Sequence, residues 1–202
     1  MVSFVDKISI DLKGTKEKYS YQIYTHYLKI KIMKRLFGII LFSVLTFSLV
    51  AQEFEVPKNC VMTKDEDFAK HEGDVLKGID WLLNTPINIQ PEKRKEVNGF
   101  FMTWLTGTPT VSIEIKPEIV NFMKPNSELL MIFMCGWTKY AIESKDSKNK
   151  TMGNQKGIEA VIDFYIKNKE SLKKDANVEK YIKMKDDGKL EEYISKNSSL
   201  DT

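Results

Sequence analysis

The sequence predicts an all-α fold, a single compact bundle of five to seven helices. In several segments apolar residues recur at helical spacing, and residues that stop helices separate those segments. Residues 129–137 are apolar at every position except Gly136, which predicts that 127–143 is a buried central helix around which the others pack. Residues 110–115 alternate apolar and polar side chains without a convincing partner strand in the rest of residues 52–202, so they predict one short extended connector or isolated edge strand.

The chain divides into three parts. Residues 33–51, MKRLFGIILFSVLTFSLVA, have a basic start, an apolar run and a small final residue, the pattern of a secretory signal peptide. Residues 52–202 then form one helical domain of ordinary size. Residues 1–32 precede a signal that normally begins a chain, so we interpret them as an over-extended N-terminus, disordered or not translated. The alternative keeps 1–32 as a cytoplasmic tail on an uncleaved anchor.

The charge of the exported part differs from that of the whole chain. Residues 1–51 hold eight of the 31 basic residues and three of the 28 acidic ones, which leaves 52–202 with a net charge of −2. Such a domain has no electrostatic reason to bind nucleic acid. The signal-peptide pattern predicts a periplasmic or extracellular protein with no stable membrane insertion after cleavage, and the expected partner is another protein, not nucleic acid.

The first two helices have clear ends. Thr63 and Glu66 form a capping-box pattern that predicts the start of the first helix, and Pro86 follows its end. Pro91 predicts the first turn of the second helix, which Gly107 ends. The second helix has the cleanest amphipathic pattern of the chain, with apolar residues at Val97, Phe100, Phe101, Trp104 and Leu105.

Five further helices are predicted after the connector. Pro117 begins a short helix that stops before Pro125, and the central helix 127–143 follows, with Gly136 allowing a neighbour to approach closely. Gly153 or Asn154 begins the next helix after a charged loop. Two apolar triads with the same spacing then lie on either side of Gly188, which predicts two short helices that dock on the bundle.

One set of side chains could bind a metal ion. Asp67, His71 and Asp74 lie at positions i, i+4 and i+7 of the first helix and so share a face. Carboxylates and an imidazole are common metal ligands, which makes a small metal-binding protein or enzyme an alternative function. The competing interpretation is a solvated polar face, because no second histidine completes an HExxH motif.

The two cysteines, Cys60 and Cys135, could form a disulfide in an exported chain. The alternative is two free thiols, with Cys135 a small apolar core residue. A set of aromatic residues could line a ligand pocket or simply fill the core: Trp81, Phe100, Phe101, Trp104, Phe133, Trp137, Tyr140, Phe164 and Tyr165.

No motif for catalysis or for cofactor binding is present. The sequence lacks a G-x-S-x-G elbow, a phosphate-binding loop and a dinucleotide fingerprint, so we expect no cofactor and no catalytic residue. The best functional prediction is an exported, non-enzymatic binding or accessory domain. Loops 107–117 and 144–153 are its candidate recognition segments.

A resemblance supports the export prediction. The blocks VPKNCVMTKDEDFAKHEGDVLKGIDWLLNTPIN, FFMTWLTGTPTVSIEI, LLMIFMCGWTKYAIES, GIEAVIDFYIKNKE and VEKYIKMKDDGKLEEYI together resemble small exported helical proteins of Gram-negative bacteria that have no assigned activity. The helical layout and the cysteine on the central helix are also similar to exported immunity proteins that block toxins. That second likeness implies a toxin-immunity-like inhibitor as a further alternative.

Overall fold

Six helices form the described part of the protein. A computed structural model describes residues 54–199, which contain α1 (Asp65–Asn84), α2 (Pro91–Gly107), α3 (Glu128–Ser144), α4 (Lys150–Lys167), α5 (Ala176–Asp186) and α6 (Leu190–Ser198). Between residues 54 and 199 there is no strand, so the predicted all-α fold is confirmed, and the 110–115 connector is not part of a sheet. The interpretations of 1–32 and of the signal peptide 33–51 lie outside the described residues.

The centre of the bundle is the pair α3 and α4. The predicted central helix is confirmed, since α3 runs along the core with Phe133, Cys135 and Trp137 buried. Three glycines let the two helices approach closely: Gly136 on α3, and Gly153 and Gly157 on α4. A Cβ atom at Gly136 would lie 2.6 Å from Ala160 Cβ, and one at Gly157 would lie 2.6 Å from the Phe133 ring. The prediction that Gly136 permits a close approach is therefore confirmed.

The first two helices pack as an antiparallel pair joined by a short loop. The indole N–H of Trp104 on α2 donates a hydrogen bond of 2.8 Å to the Phe68 carbonyl on α1. The segment before α1 also joins this pair, because Phe54 packs on Gly78 and lies 6.2 Å from Phe100 between ring centroids. Residues 54–63 are thereby held along the surface of α1 and α2, and this places Cys60 against His71 on α1.

The predicted short helix after Pro117 is wrong. Residues 117–119 and 123–125 form turns, with a single helical turn closed by the 2.7 Å hydrogen bond from Val120 N–H to the Lys116 carbonyl. The backbone carbonyls that a helix would use are taken by side chains from α5 and α6. Tyr193 donates to Glu118 at 3.0 Å, and Tyr181 donates to Ile119 at 2.8 Å. Tertiary hydrogen bonds therefore outweigh the local helical pattern.

Two predicted helix starts are displaced. The first helix begins at Asp65 with Lys64 as N-cap, one residue later than predicted, and Asp67 rather than Glu66 accepts the capping hydrogen bonds. The helix predicted to start at Gly153 or Asn154 begins at Lys150, because Asn149 caps it by accepting from the Met152 N–H at 3.1 Å. An asparagine N-cap is as favourable as any other, so the earlier start has a clear physical cause.

The two predicted C-terminal helices are confirmed as α5 and α6. Gly188 separates them with φ of +69°, a conformation that favours glycine. None of the helices described between residues 54 and 199 is long and apolar enough to cross a bilayer.

Candidate functional site

A groove between α2, α3 and the α1–α2 loop is the main candidate binding site. It has a volume of about 220 Å³ and opens to the surface. Its wall is mostly apolar, with two methionines from α3, and it includes these residues: Ile87, Arg94, Asn98, Ser127, Glu128, Leu130, Met131, Ile132, Met134 and Phe164. A concave apolar surface with a few polar groups is the usual form of a ligand or partner site.

Arg94 gives the groove its positive charge. Its guanidinium lies 5.5 Å from the Trp81 ring centroid and 5.6 Å from that of Phe164, between the two aromatic side chains. It donates hydrogen bonds to the carbonyls of Leu82 and Thr85 at the end of α1. Burial lowers the pKa of the Arg94 guanidinium, and no carboxylate of the described residues opposes that effect. Arg94 therefore clamps α1 to α2 while keeping an unneutralised charge at the groove.

The remaining polar groups of the groove are also incompletely paired. Asn98 Oδ1 and Arg94 Nε are covered atoms that have no hydrogen-bond partner among residues 54–199. Glu128, in the first turn of α3, is exposed and forms no ion pair within the same residues. Buried polar atoms are nearly always hydrogen-bonded in folded proteins, so the hydrogen-bonding capacity of Asn98 and Arg94 is incompletely used within the described residues.

A second cluster joins Cys60 to the polar face of α1. The Cys60 sulfur lies 3.5 Å from Nε2 and 3.7 Å from Nδ1 of His71. His71 Nδ1 in turn lies 3.5 Å from Asp74 Oδ2, and its ring meets the Phe100 ring edge-on. The Cys60 thiol, the His71 imidazole and the Asp74 carboxylate thus lie side by side in space. All three are partly accessible to solvent.

The cluster is not arranged as an activated nucleophile. Because the sulfur is almost equally far from both ring nitrogens, it lies beside the imidazole and is not in line with either nitrogen. Burial, and to a lesser extent Asp74, raise the pKa of the Cys60 thiol, whereas a catalytic cysteine needs a lowered one. Burial and the nearby Asp74 carboxylate therefore favour a neutral Cys60 thiol.

The predicted disulfide between Cys60 and Cys135 is wrong, since both cysteines are free. Cys60 faces His71 at the edge of α1, whereas Cys135 is fully enclosed in α3. Burial raises the pKa of the Cys135 thiol far above its usual range. Cys135 is thus an inert core residue, which was the alternative interpretation.

The three proposed metal ligands are divided between two roles. His71 and Asp74 approach each other, as their spacing predicts. Asp67 instead accepts hydrogen bonds from the backbone N–H groups of Lys64 and Thr63, which lower the pKa of its carboxyl. Among residues 54–199 no group of three His, Cys, Asp or Glu side chains is placed to hold a metal ion.

Most of the aromatic residues considered as pocket lining belong to the core. Trp81, Trp104 and Trp137 are at most 5% exposed. Of the proposed aromatic set, Phe164 is the member that lines the groove. The groove therefore depends on aliphatic and methionine side chains much more than on aromatic ones.

Comparison of the chain with protein-family models, with curated proteins and with solved structures gives no match. The resemblance to small exported helical proteins, and the fainter one to immunity proteins, therefore stay predictions.

The sequence contained one usable signal for the groove. Arg94 precedes Val97, Phe101 and Trp104 at helical spacing, so it is a charged residue on the buried face of α2. A charge at such a position must find partners inside the fold, which makes it a signal for a polar site. No comparable signal exists for Cys60 and His71, which are 11 residues apart across a loop and a helix start.

Proposed function

We propose that this protein is an exported, non-enzymatic binding domain whose binding surface is the groove between α2 and α3. The observation that carries the proposal is the groove itself, an open apolar depression whose two charged residues lack ion-pair partners among residues 54–199. Export rests on the signal-like pattern of residues 33–51.

The chemistry of the groove selects the kind of partner. Leu130, Met131 and Met134 are half-buried, and methionine side chains adapt readily to the shape of an apolar group. A volume of about 220 Å³ suits a large side chain better than a cofactor. The occupant is therefore a segment of a partner protein that inserts an apolar side chain.

Charge complementarity defines the flanks of that segment. Arg94 has no carboxylate partner among the described residues, and Glu128 has no basic one. A partner with an acidic group beside its apolar side chain, and a basic group farther along, would neutralise both. Such complementarity contributes to specificity and to the rate of association.

Methionine methyl groups offer a direct test in the full-length protein. With ¹³C-labelled methionine methyls, we expect N-acetyl-leucine to shift the Met131 and Met134 signals saturably, with a dissociation constant on the order of 1 mM. N-acetyl-leucinamide, which lacks the carboxylate, should bind several-fold more weakly because it offers no anion to Arg94. Met123, which is 38% exposed and does not line the groove, is the control.

Two results would contradict the proposal. One is the absence of any saturable shift at Met131 and Met134. The other is a shift of equal size at Met123, which would show that the probe associates with any exposed methionine.

A further inference from the structure

The groove between α2 and α3 has the volume of a single six-membered ring. Its volume is about 220 Å³. An apolar cavity of about 150 Å³ is already large enough to bind benzene. The groove therefore has room for one ring together with the carbon that links it to a peptide backbone, but not for two rings. A leucine side chain also fits by volume, so the chemistry of the wall decides which class of side chain binds better.

Two thioethers in the wall favour an aromatic occupant. Met131 and Met134 both line the groove, and they lie three residues apart on α3, so they share a face of that helix. Both side chains are half-buried, which leaves part of each accessible from the groove. A methionine sulfur makes a favourable contact with an aromatic ring that it does not make with an alkyl group. Two such residues on one wall therefore favour a ring over an alkyl group of similar size.

Phe164 adds an aromatic ring to the same wall from α4. Its ring contacts the Arg94 guanidinium, and no other aromatic ring among residues 54–199 pairs with it. Aromatic rings attract each other in edge-to-face or offset arrangements beyond what the burial of their area contributes. A ring that enters the groove would therefore supply the aromatic partner that Phe164 lacks within the described residues.

We propose that the occupant of the groove is an aromatic side chain of the size of phenylalanine, carried by a partner protein, and that Met131, Met134 and Phe164 set this preference. The inference rests on the proposed binding function of the groove and narrows the partner. Arg94 has no carboxylate partner among the described residues, so the binding segment carries a carboxylate beside its aromatic residue.

The test compares N-acetyl-phenylalanine with N-acetyl-cyclohexylalanine, which has the same carbon skeleton and carboxylate but a saturated ring. Burial of apolar area alone favours the cyclohexyl compound, because its ring is larger and more apolar. We expect the opposite order, with the phenyl compound binding at least about threefold more tightly. The ¹³C-labelled δ1 methyl group of Ile87 reports binding in the full-length protein, since Ile87 lines the groove. Ile115, which is 41% exposed and does not line the groove, is the control.

Leucine variants separate the effect of sulfur from that of shape. The double change Met131→Leu and Met134→Leu nearly conserves side-chain volume but removes both sulfur atoms, so the ratio of the two dissociation constants should fall close to one. Met123→Leu removes a sulfur outside the groove and should leave that ratio as it is in the unaltered protein. Circular dichroism checks the fold of each variant. If the double variant does not fold, each single change should lower the ratio part of the way.

The outcomes distinguish this inference from the proposed function on which it rests. Saturable binding of both compounds, with the cyclohexyl compound equal or tighter, would overturn the aromatic preference and leave the groove as a binding surface. An unchanged ratio in the leucine variants would overturn the role of Met131 and Met134. The absence of a saturable shift at Ile87 with either compound, and at both methionines with N-acetyl-leucine, would refute the proposed function and this inference together.

Discussion

Replacement of Gly136 by alanine tests the packing of α3 against α4. The new Cβ atom would lie 2.6 Å from both Ala160 Cβ and the Lys156 carbonyl oxygen, whereas ordinary contacts begin near 3.4 Å. The helices must therefore separate by about 0.8 Å. Overpacking of this kind costs up to about 3 kcal/mol, and the better helix propensity of alanine returns about 1 kcal/mol. We expect a net loss of about 2 kcal/mol in the free energy of unfolding.

Urea denaturation followed by circular dichroism at 222 nm measures that loss. A decrease of this size lowers Tm by roughly 4–8 °C in a domain of this length. The matched control is Gly99→Ala on α2, where a Cβ atom would meet nothing within 4 Å, so stability should rise by roughly 0.5–1 kcal/mol. A Gly136→Ala protein as stable as the unaltered one would refute the close packing of the two helices.

Three further perturbations have defined outcomes. Arg94→Ala removes hydrogen bonds to the end of α1 and should lower the free energy of unfolding by about 2–3 kcal/mol in urea titrations, with Arg94→Lys recovering less than half. Ellman's reagent should modify Cys60 in the folded protein and Cys135 only in urea, because Cys135 is fully enclosed; two fast-reacting thiols would contradict this. Backbone N–H groups lower the pKa of Asp67, so its stabilising effect is present above its ordinary value of 3.8 and is lost as pH falls through the folded-state pKa. Asp67→Asn should therefore flatten the acid side of the stability curve, and an unchanged curve would count against the cap.

Local chemistry explains why much of the fold was predictable. Pro91 marks the start of α2 because proline suits a first turn, whatever surrounds it. Gly188 separates α5 from α6 because its φ of +69° is costly for other residues. Gly107, by contrast, is the last residue of α2 without a positive φ, and its missing side chain leaves room for the Phe68 ring. The apolar run of α3 needs burial in any compact arrangement.

The errors arose where distant groups decide the local structure. Residues 117–124 have a helical pattern, but hydroxyls of Tyr181 and Tyr193 take the carbonyls of that segment from more than 60 residues away. The approach of Cys60 to His71 depends on how Phe54 fixes the segment before α1. No periodicity within the sequence encodes either contact.

The groove shows the same division between local and distant causes. Arg94 was visible as a charge on an apolar face, but its lack of a carboxylate partner among the described residues follows from the packing of α1, α2 and α4. Met131 and Met134 belong to the apolar run of α3 that predicts burial, yet both are half-buried where they line the groove beside Ile87 of the α1–α2 loop.

The most direct test of the proposed binding surface compares glutamate variants of two methionines, one in the groove and one outside it. In the full-length protein, Met134→Glu should weaken the binding of N-acetyl-leucine at least tenfold, which corresponds to about 1.4 kcal/mol, because it removes an apolar contact and places in the groove a carboxylate that repels the carboxylate of the probe. Met123→Glu adds the same charge outside the groove and should change the dissociation constant less than twofold. Equal dissociation constants for the two variants would contradict the assignment of the groove as the binding site.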